Sequence, residues 1–306
     1  MQIDVVQRQA LDPAALAGIG AFVATANADP AQHIGYVDGS AAEVTTTLSE
    51  LDGEAVFALG RDADGGMVAV LAAEWDTDLG RTWLYGPWGV FADDLYAALR
   101  PHLPPAAGEH ELFCDAANTT VAGFAARHGF TLQGEHMILE LPRAAAAGLP
   151  APATPVSPIP ADLRDAFTAL HETCFPGTHT GAATILAGEQ HYLPPLGVRS
   201  DGALLGYVAL TAEPEFGRAQ VEYLGVAPDH RGRGLATELV RAAVHAALRD
   251  PRIGVVSLTV SATDPAALRV YRKAGFVVER TMRCYRTARP AHPDRCGRTS
   301  AAASSP

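Results

Sequence analysis

The chain has 306 residues, 48% of them hydrophobic and 19% charged. This excludes a wholly disordered polypeptide and supplies apolar material for two cores of ordinary size. A net charge of −11 argues against a general nucleic-acid binder, and no apolar run approaches the roughly 20 residues that a bilayer span needs.

The opening MQIDVVQRQALDP has no basic region followed by a long apolar one, so no secretory signal is expected. Cys114, Cys174, Cys284 and Cys296 are scattered with no CxxC pair. That speaks against a metal site or a disulfide framework, and a reducing cytoplasm is the expected setting. Residues 1–152 hold six arginines, no lysine and twenty acidic residues, whereas 153–288 hold fourteen basic and thirteen acidic ones. An acidic half joined to a near-neutral half suggests two units.

In the first unit, Thr82 to Trp88 (TWLYGPW) reads as a strand and a helix starts near Ala92 or Asp93. His110 to Asp115 (HELFCD) is a second strand, and Asn118 to Phe130 (NTTVAGFAARHGF) a helix with a glycine stop. Residues 143–160 are rich in Pro and Ala and read as a semi-extended linker. The second unit opens with a helix over Ala161–Cys174, followed by strands over Ala203–Thr211 and Ala219–Val226. A helix over Gly234–Arg249, a buried strand over Ile253–Val260 and a helix over Pro265–Lys273 come next, with a further strand from Phe276. Residues 289–306 read as a disordered tail. The expected layout is therefore 1–142, linker 143–160, 161–288 and tail 289–306, with an α/β (α+β) fold.

An internal repeat links the units. NTTVAGFAARHGF and DPAALRVYRKAGF (Asp264 to Phe276) have equal length, share a basic residue, a spacer and then Gly-Phe, and each follows a strand. Shared length, helix pattern, stop signal and flanking strand point to duplication.

The segment that carries chemistry is Tyr223 to Leu239, YLGVAPDHRGRGLATEL. A strand ends, a polar turn follows, and Arg231-Gly232-Arg233-Gly234-Leu235-Ala236 opens a helix. Glycines there let backbone amides approach a ligand, and the first amides of a helix have no intrahelical partner. With the helix dipole and two arginines, this suits a phosphate or pyrophosphate. The segment lacks the Lys-Ser/Thr ending of a P-loop and the spacing of a dinucleotide-binding fingerprint.

RGRGLA fits an Arg/Gln-x-x-Gly-x-Gly/Ala signature and resembles that of the GNAT acetyltransferase superfamily. LGVAPDH resembles the family's fourth strand and turn, and DPAALRVYRKAGF its later helix. The resemblance covers residues 160–288 well and the first unit weakly; the layout is similar to that of tandem members. It implies two GNAT-like domains, each a mixed, mostly antiparallel central sheet flanked by helices. It also implies acetyl-CoA as co-substrate, with its pyrophosphate on Arg231, Gly232, Arg233, Gly234, Leu235 and Ala236. The pantetheine arm would lie along Leu224, Gly225 and Val226, where the fourth and fifth strands part. Asp264 stands where the family often has a cofactor-contacting Asn; it keeps a helix cap and adds a negative charge.

The implied reaction is direct attack of a primary amine on the acyl group in a ternary complex. Tyr271 resembles the family's general acid for the leaving thiolate and stays protonated at neutral pH. Glu222, on one strand face with Leu224 and Val226, is the candidate base, acting directly or through water. His171, Cys174, His179 and Tyr192 are further candidates for touching the acceptor. In the first unit Tyr271 corresponds to Ala125, the loop is shortened, and Asp93 and Asp94 sit at the helix start. That unit is expected to bind no CoA, to be structural or to close one side of the acceptor site, and its acidity could steer a cationic acceptor. The expected partner is a small-molecule amine, without nucleic acid or membrane, and the chain a monomer or homodimer. The competing readings are a non-catalytic CoA-binding or interaction protein on the same scaffold and a protein lysine or N-terminal acetylase.

Overall fold

Helices begin where the sequence supplies a capping oxygen. Asp12 accepts from the Ala15 amide at 2.7 Å, Asn118 from Val121 at 3.0 Å, and Asp264 from Ala266 and Ala267 at 3.1 and 2.9 Å. Ser40 and Glu43 form a reciprocal capping box. The computed structural model describes residues 2–37, 39–178 and 180–288. The expectations for His179, Cys296 and the tail 289–306 lie outside the described residues.

The first half runs β1 (Gln2–Gln7), α1 (Pro13–Asn27), α2 (Ala41–Glu50), β2 (Val56–Arg61), β3 (Met67–Asp76), β4 (Arg81–Gly89), α3 (Ala92–Leu99), β5 (Glu109–Asp115), α4 (Thr119–Arg127) and β6 (Thr131–Pro142). After one helical turn, α5 (Arg143–Ala146), the pattern repeats. It continues β7 (Ser157–Pro158), α6 (Arg164–Cys174), α7 (Ala182–Ala187), β8 (Leu196–Ser200), β9 (Ala203–Glu213), β10 (Arg218–Val226), α8 (Leu235–Ala247), β11 (Val255–Ser261), α9 (Pro265–Lys273) and β12 (Val277–Arg286). The two halves match element for element, as the repeat requires.

All strands join one 12-stranded sheet in the order β1-β2-β3-β4-β5-β12-β6-β11-β10-β9-β8-β7. Among the described residues only β4–β5 and β10–β11 pair in parallel. The last strand of each half has crossed to the other: β12 pairs with β5, β6 pairs with β11, and the two run antiparallel to each other. Segments 1–142 and 161–288 are therefore not independent sheets, which modifies the layout expected from sequence. Physically, the exchange leaves neither β5 nor β11 as an open edge.

The exchange is anchored by packing and by charge. Leu139 and Leu141 of β6 are fully buried in the core of the second half, beside Leu239 and Val256, while Tyr285 of β12 packs into the first core. Glu111 of β5 is buried and accepts from Arg286 of β12 at 2.5 Å, and Asp115 pairs with Arg280 at 3.1 Å. A buried carboxylate is stable only when so partnered. Residues 143–160 hold one helical turn and the two-residue edge strand β7.

Two outcomes are expected. Leu141→Ala should lower stability by about 3 kcal/mol, and in chemical denaturation both halves should unfold together in one transition; two separated transitions would contradict the exchanged sheet. A fragment of residues 153–306 should be unfolded alone by circular dichroism and regain structure when mixed with 1–152.

Candidate active site

The site lies where β10 leaves β11. The parallel pairing runs from Arg218–Val255 to Val221–Leu258 and stops. Beyond it, among the described residues, β10 is paired only with β9, up to Val226–Gly206. At the parting point the register shifts between Val221 and Tyr223, so Glu222 occupies a bulge. The gap opens into a cavity of about 790 Å³, within the roughly 300–1,000 Å³ typical of small-molecule sites.

Most of the residues singled out in the sequence meet there. Glu222, Leu224, Gly225 and Val226 line it from β10, and Arg231, Gly232, Gly234, Leu235 and Ala236 from the loop and the start of α8. Asp264 and Tyr271 line it from the side of α9. Gly232 and Gly234 have φ of +75° and +81°, and a Cβ on either would meet nothing within 4 Å. Glycine is thus required by the backbone and leaves the cradle open. The amides of Leu235 and Ala236, at the first turn of α8, have no helical carbonyl to bond. Such a cradle fits a pyrophosphate. Glu238, in the same turn, is occupied by the Ala153 amide and by Arg241 at 2.9 Å.

Gly225 serves packing. A Cβ there would stand 2.6 Å from the Tyr207 ring and 3.1 Å from the Cys174 sulfur. Arg231 folds back to donate from Nε to the Val226 carbonyl at 3.1 Å. Arg233 does not line the cavity; its guanidinium donates to the Asp229 carbonyl at 3.0 Å. In this position its side chain braces the loop. Asp264 spends one carboxylate oxygen on capping α9.

The two titratable candidates face different environments. Burial pushes the Glu222 carboxyl up to about 7, against hydrogen bonds from Gln220 and Thr211 that favour its ionised form; the Thr211 hydroxyl lies 3.4 Å from Oε1. Burial, with the nearby Asp264 charge, pushes the Tyr271 hydroxyl up to about 12. Its ring packs edge-on against Phe276 at 6.1 Å.

Glu222 also lines a second cavity of about 280 Å³, with Thr180, Gln190, His191, Tyr192, Thr211, Glu213, Arg218, Ala219, Gln220 and Ser257. Helix α2 of the first half reaches its rim: Glu43 pairs with Arg218 at 2.8 Å and Glu50 with His191 at 3.7 Å. Of the side chains considered for the acceptor, Tyr192 lines this cavity and Cys174 the larger one. His171 lines neither. It is a buried structural histidine, its Nδ1 2.6 Å from the Tyr207 hydroxyl and its Nε2 3.0 Å from the Thr180 carbonyl.

Sequence reasoning missed Thr259 and Ser261 on β11 and Arg269 and Lys273 on α9, all of which line the large cavity. The i, i+4 spacing of Arg269 and Lys273 beside Tyr271 was the available signal.

The first half has the same gap, filled by its own chain. β4 and β5 pair in parallel from Arg81–Glu109 to Trp83–Glu111 and then part. The segment His33–Tyr36 takes the place beside β5: Gly35 donates to the Phe113 carbonyl at 2.7 Å and Asp115 donates to the His33 carbonyl at 3.1 Å. Asn27, buried, holds this plug. Its amide donates to the carbonyls of Ile34 and Val37, and its oxygen accepts from the Ile34 amide and the Trp88 indole. The turn into α3 is only Val90-Phe91, and Asp93 in the first helical turn pairs with Arg127 and His128 at 2.9 and 2.7 Å. A carboxylate thus sits where the second half offers bare amides.

Residues 161–276 match the acetyltransferase (GNAT) family. The N-alpha-acetyltransferase RimI of Mycobacterium tuberculosis is 38% identical over 89 residues, 28% of this chain and 51% of that protein. The mycothiol acetyltransferase of Tsukamurella paurometabola is 38% identical over 78 residues, 25% of this chain and 26% of that one. The chain thus spans about half or less of the length of these curated relatives. Among solved structures, a GCN5-related N-acetyltransferase from Sphaerobacter thermophilus superposes with a TM-score of 0.71 at 18% identity, over 93% of this chain and 95% of that one. A tandem GNAT protein from the clavulanic acid biosynthesis pathway gives 0.68 at 16% identity, over 94% and 98%. Residues 161–276 are thus similar to the acetyltransferase (GNAT) family, and nearly the whole chain shares the fold of these two solved structures.

Proposed function

We propose that the protein transfers an acetyl group from acetyl-CoA to a small primary amine, using the second half alone. The observation that carries this reading is the position of Glu222. It stands at the parting of β10 and β11, in the wall of both the large cavity and the small one. The large cavity has the amide cradle and strand edge that suit acetyl-CoA, and the small one is sized for an acceptor.

The thioester supplies the activated acyl group. Glu222 receives a proton from the acceptor ammonium, directly or through water. Its carboxyl, raised to about 7, matches a base working near neutrality. The amine nitrogen then forms the C–N bond as the C–S bond breaks, with an amide N–H near Val226 polarising the carbonyl. Tyr271 gives its hydroxyl proton to the departing sulfur and is restored by the proton that the acylated nitrogen sheds; burial keeps it protonated between turnovers throughout the physiological range. The first half reaches the rim of the small cavity through Glu43 and Glu50 and narrows the approach to it, which supports a small acceptor over a protein chain.

A base acts only when ionised, so kcat/KM should rise with pH through about 7 and level off above it. Glu222→Gln should lower kcat/KM roughly 100-fold and remove that limb; an unaltered profile would exclude Glu222 as base. Tyr271→Phe should lower kcat by about 100-fold with acetyl-CoA binding retained by calorimetry. Thiol release with a panel of primary amines tests the activity itself.

A further inference from the structure

The smaller cavity carries information about the acceptor beyond its reacting nitrogen. It is lined by two carboxylates, Glu222 and Glu213. Thr211 marks their spacing. Its hydroxyl is 3.4 Å from Glu222, and Glu213 is two residues further along β9 on the same face. Two residues of strand advance roughly 7 Å.

The rim's basic groups are already engaged. Arg218 is held by Glu43 at 2.8 Å, and His191 lies 3.7 Å from Glu50. Among the described residues neither Glu213 nor Glu222 has an ion pair. Burial, together with the charges of Glu215 and Glu50, raises the Glu213 carboxyl above its ordinary value, opposed by His191 and Arg218. Arg218 faces Glu213 across the ladder but is itself held by Glu43, so the carboxylates at this cavity and its rim outnumber the basic groups, which favours a ligand that brings a cation.

Resting on the acetyl-transfer reading, we infer that the acceptor carries a second cationic nitrogen, four to five bonds from the reacting one, and that Glu213 holds it. The acceptor class is a short diamine, or a small molecule that presents two amines at that spacing. One nitrogen sits at Glu222 and loses its proton; the other stays charged at Glu213. A cavity of about 280 Å³ accommodates such a molecule. An amino acid of the same length would bring a carboxylate to Glu213 and be rejected.

The test is acetyl-CoA-dependent thiol release with 1,4-diaminobutane, 1-aminobutane and 4-aminobutanoate, on the wild-type chain and on Glu213→Gln. The wild type should favour the diamine over the monoamine at least tenfold in kcat/KM, chiefly through KM, with the amino acid poorest. In Glu213→Gln that ratio should collapse toward one. Equal rates for diamine and monoamine in the wild type would overturn the inference while leaving acetyl transfer standing. A ratio that survives in Glu213→Gln would overturn the assignment to that carboxylate. Failure of every amine to release thiol would overturn acetyl transfer to small amines, and this inference with it.

Discussion

The structure turns on one departure from regular pairing: β10 leaves β11 after Val221. A strand that keeps one partner and loses the other presents a row of backbone donors and acceptors to a cavity. Such groups are costly to leave unpaired in a dry interior, so the gap must be filled by something polar and extended. In the second half it stays open, bordered by the glycine turn into α8. In the first half the segment His33–Tyr36 fills it from within and is held by Asn27. The same duplicated architecture has thus met one physical demand in two ways, with an open cavity in one half and with the chain itself in the other.

The exchanged strands explain how a half without that opening still serves the other. Because β6 lies in the second core and β12 against β5, neither half can move far without breaking the central β6–β12 ladder. The first half then places α2 beside the smaller cavity in a fixed way, with Glu43 and Glu50 at the rim.

Much of the second half was legible because its signals are local. Pro265 and Asp264 mark the start of α9 and Gly275 its end, and Gly232 and Gly234 mark the turn that only positive φ permits. Less was legible in the first half. Helix α1 is apolar on most of its surface, so no clear stripe announces it. The strand exchange left no trace in the sequence: β6 and β12 descend from the same repeat, and either could satisfy β5 or β11. Pairing partners are set by long-range packing, not by the residues of one strand. Side-chain direction was equally hidden. Arg233 sits in the right motif and turns to the Asp229 carbonyl, while His171 sits near the acceptor side and turns into the core.

The most direct measurement is the stoichiometry of acetyl-CoA binding by calorimetry, on the wild-type chain and on Gly234→Asp. That substitution puts a side chain and a negative charge into the open cradle at a φ of +81°. One molecule bound per chain, lost in the variant, is the result expected if only the second half keeps its gap open. Two molecules per chain, or one that persists in Gly234→Asp, would contradict the account.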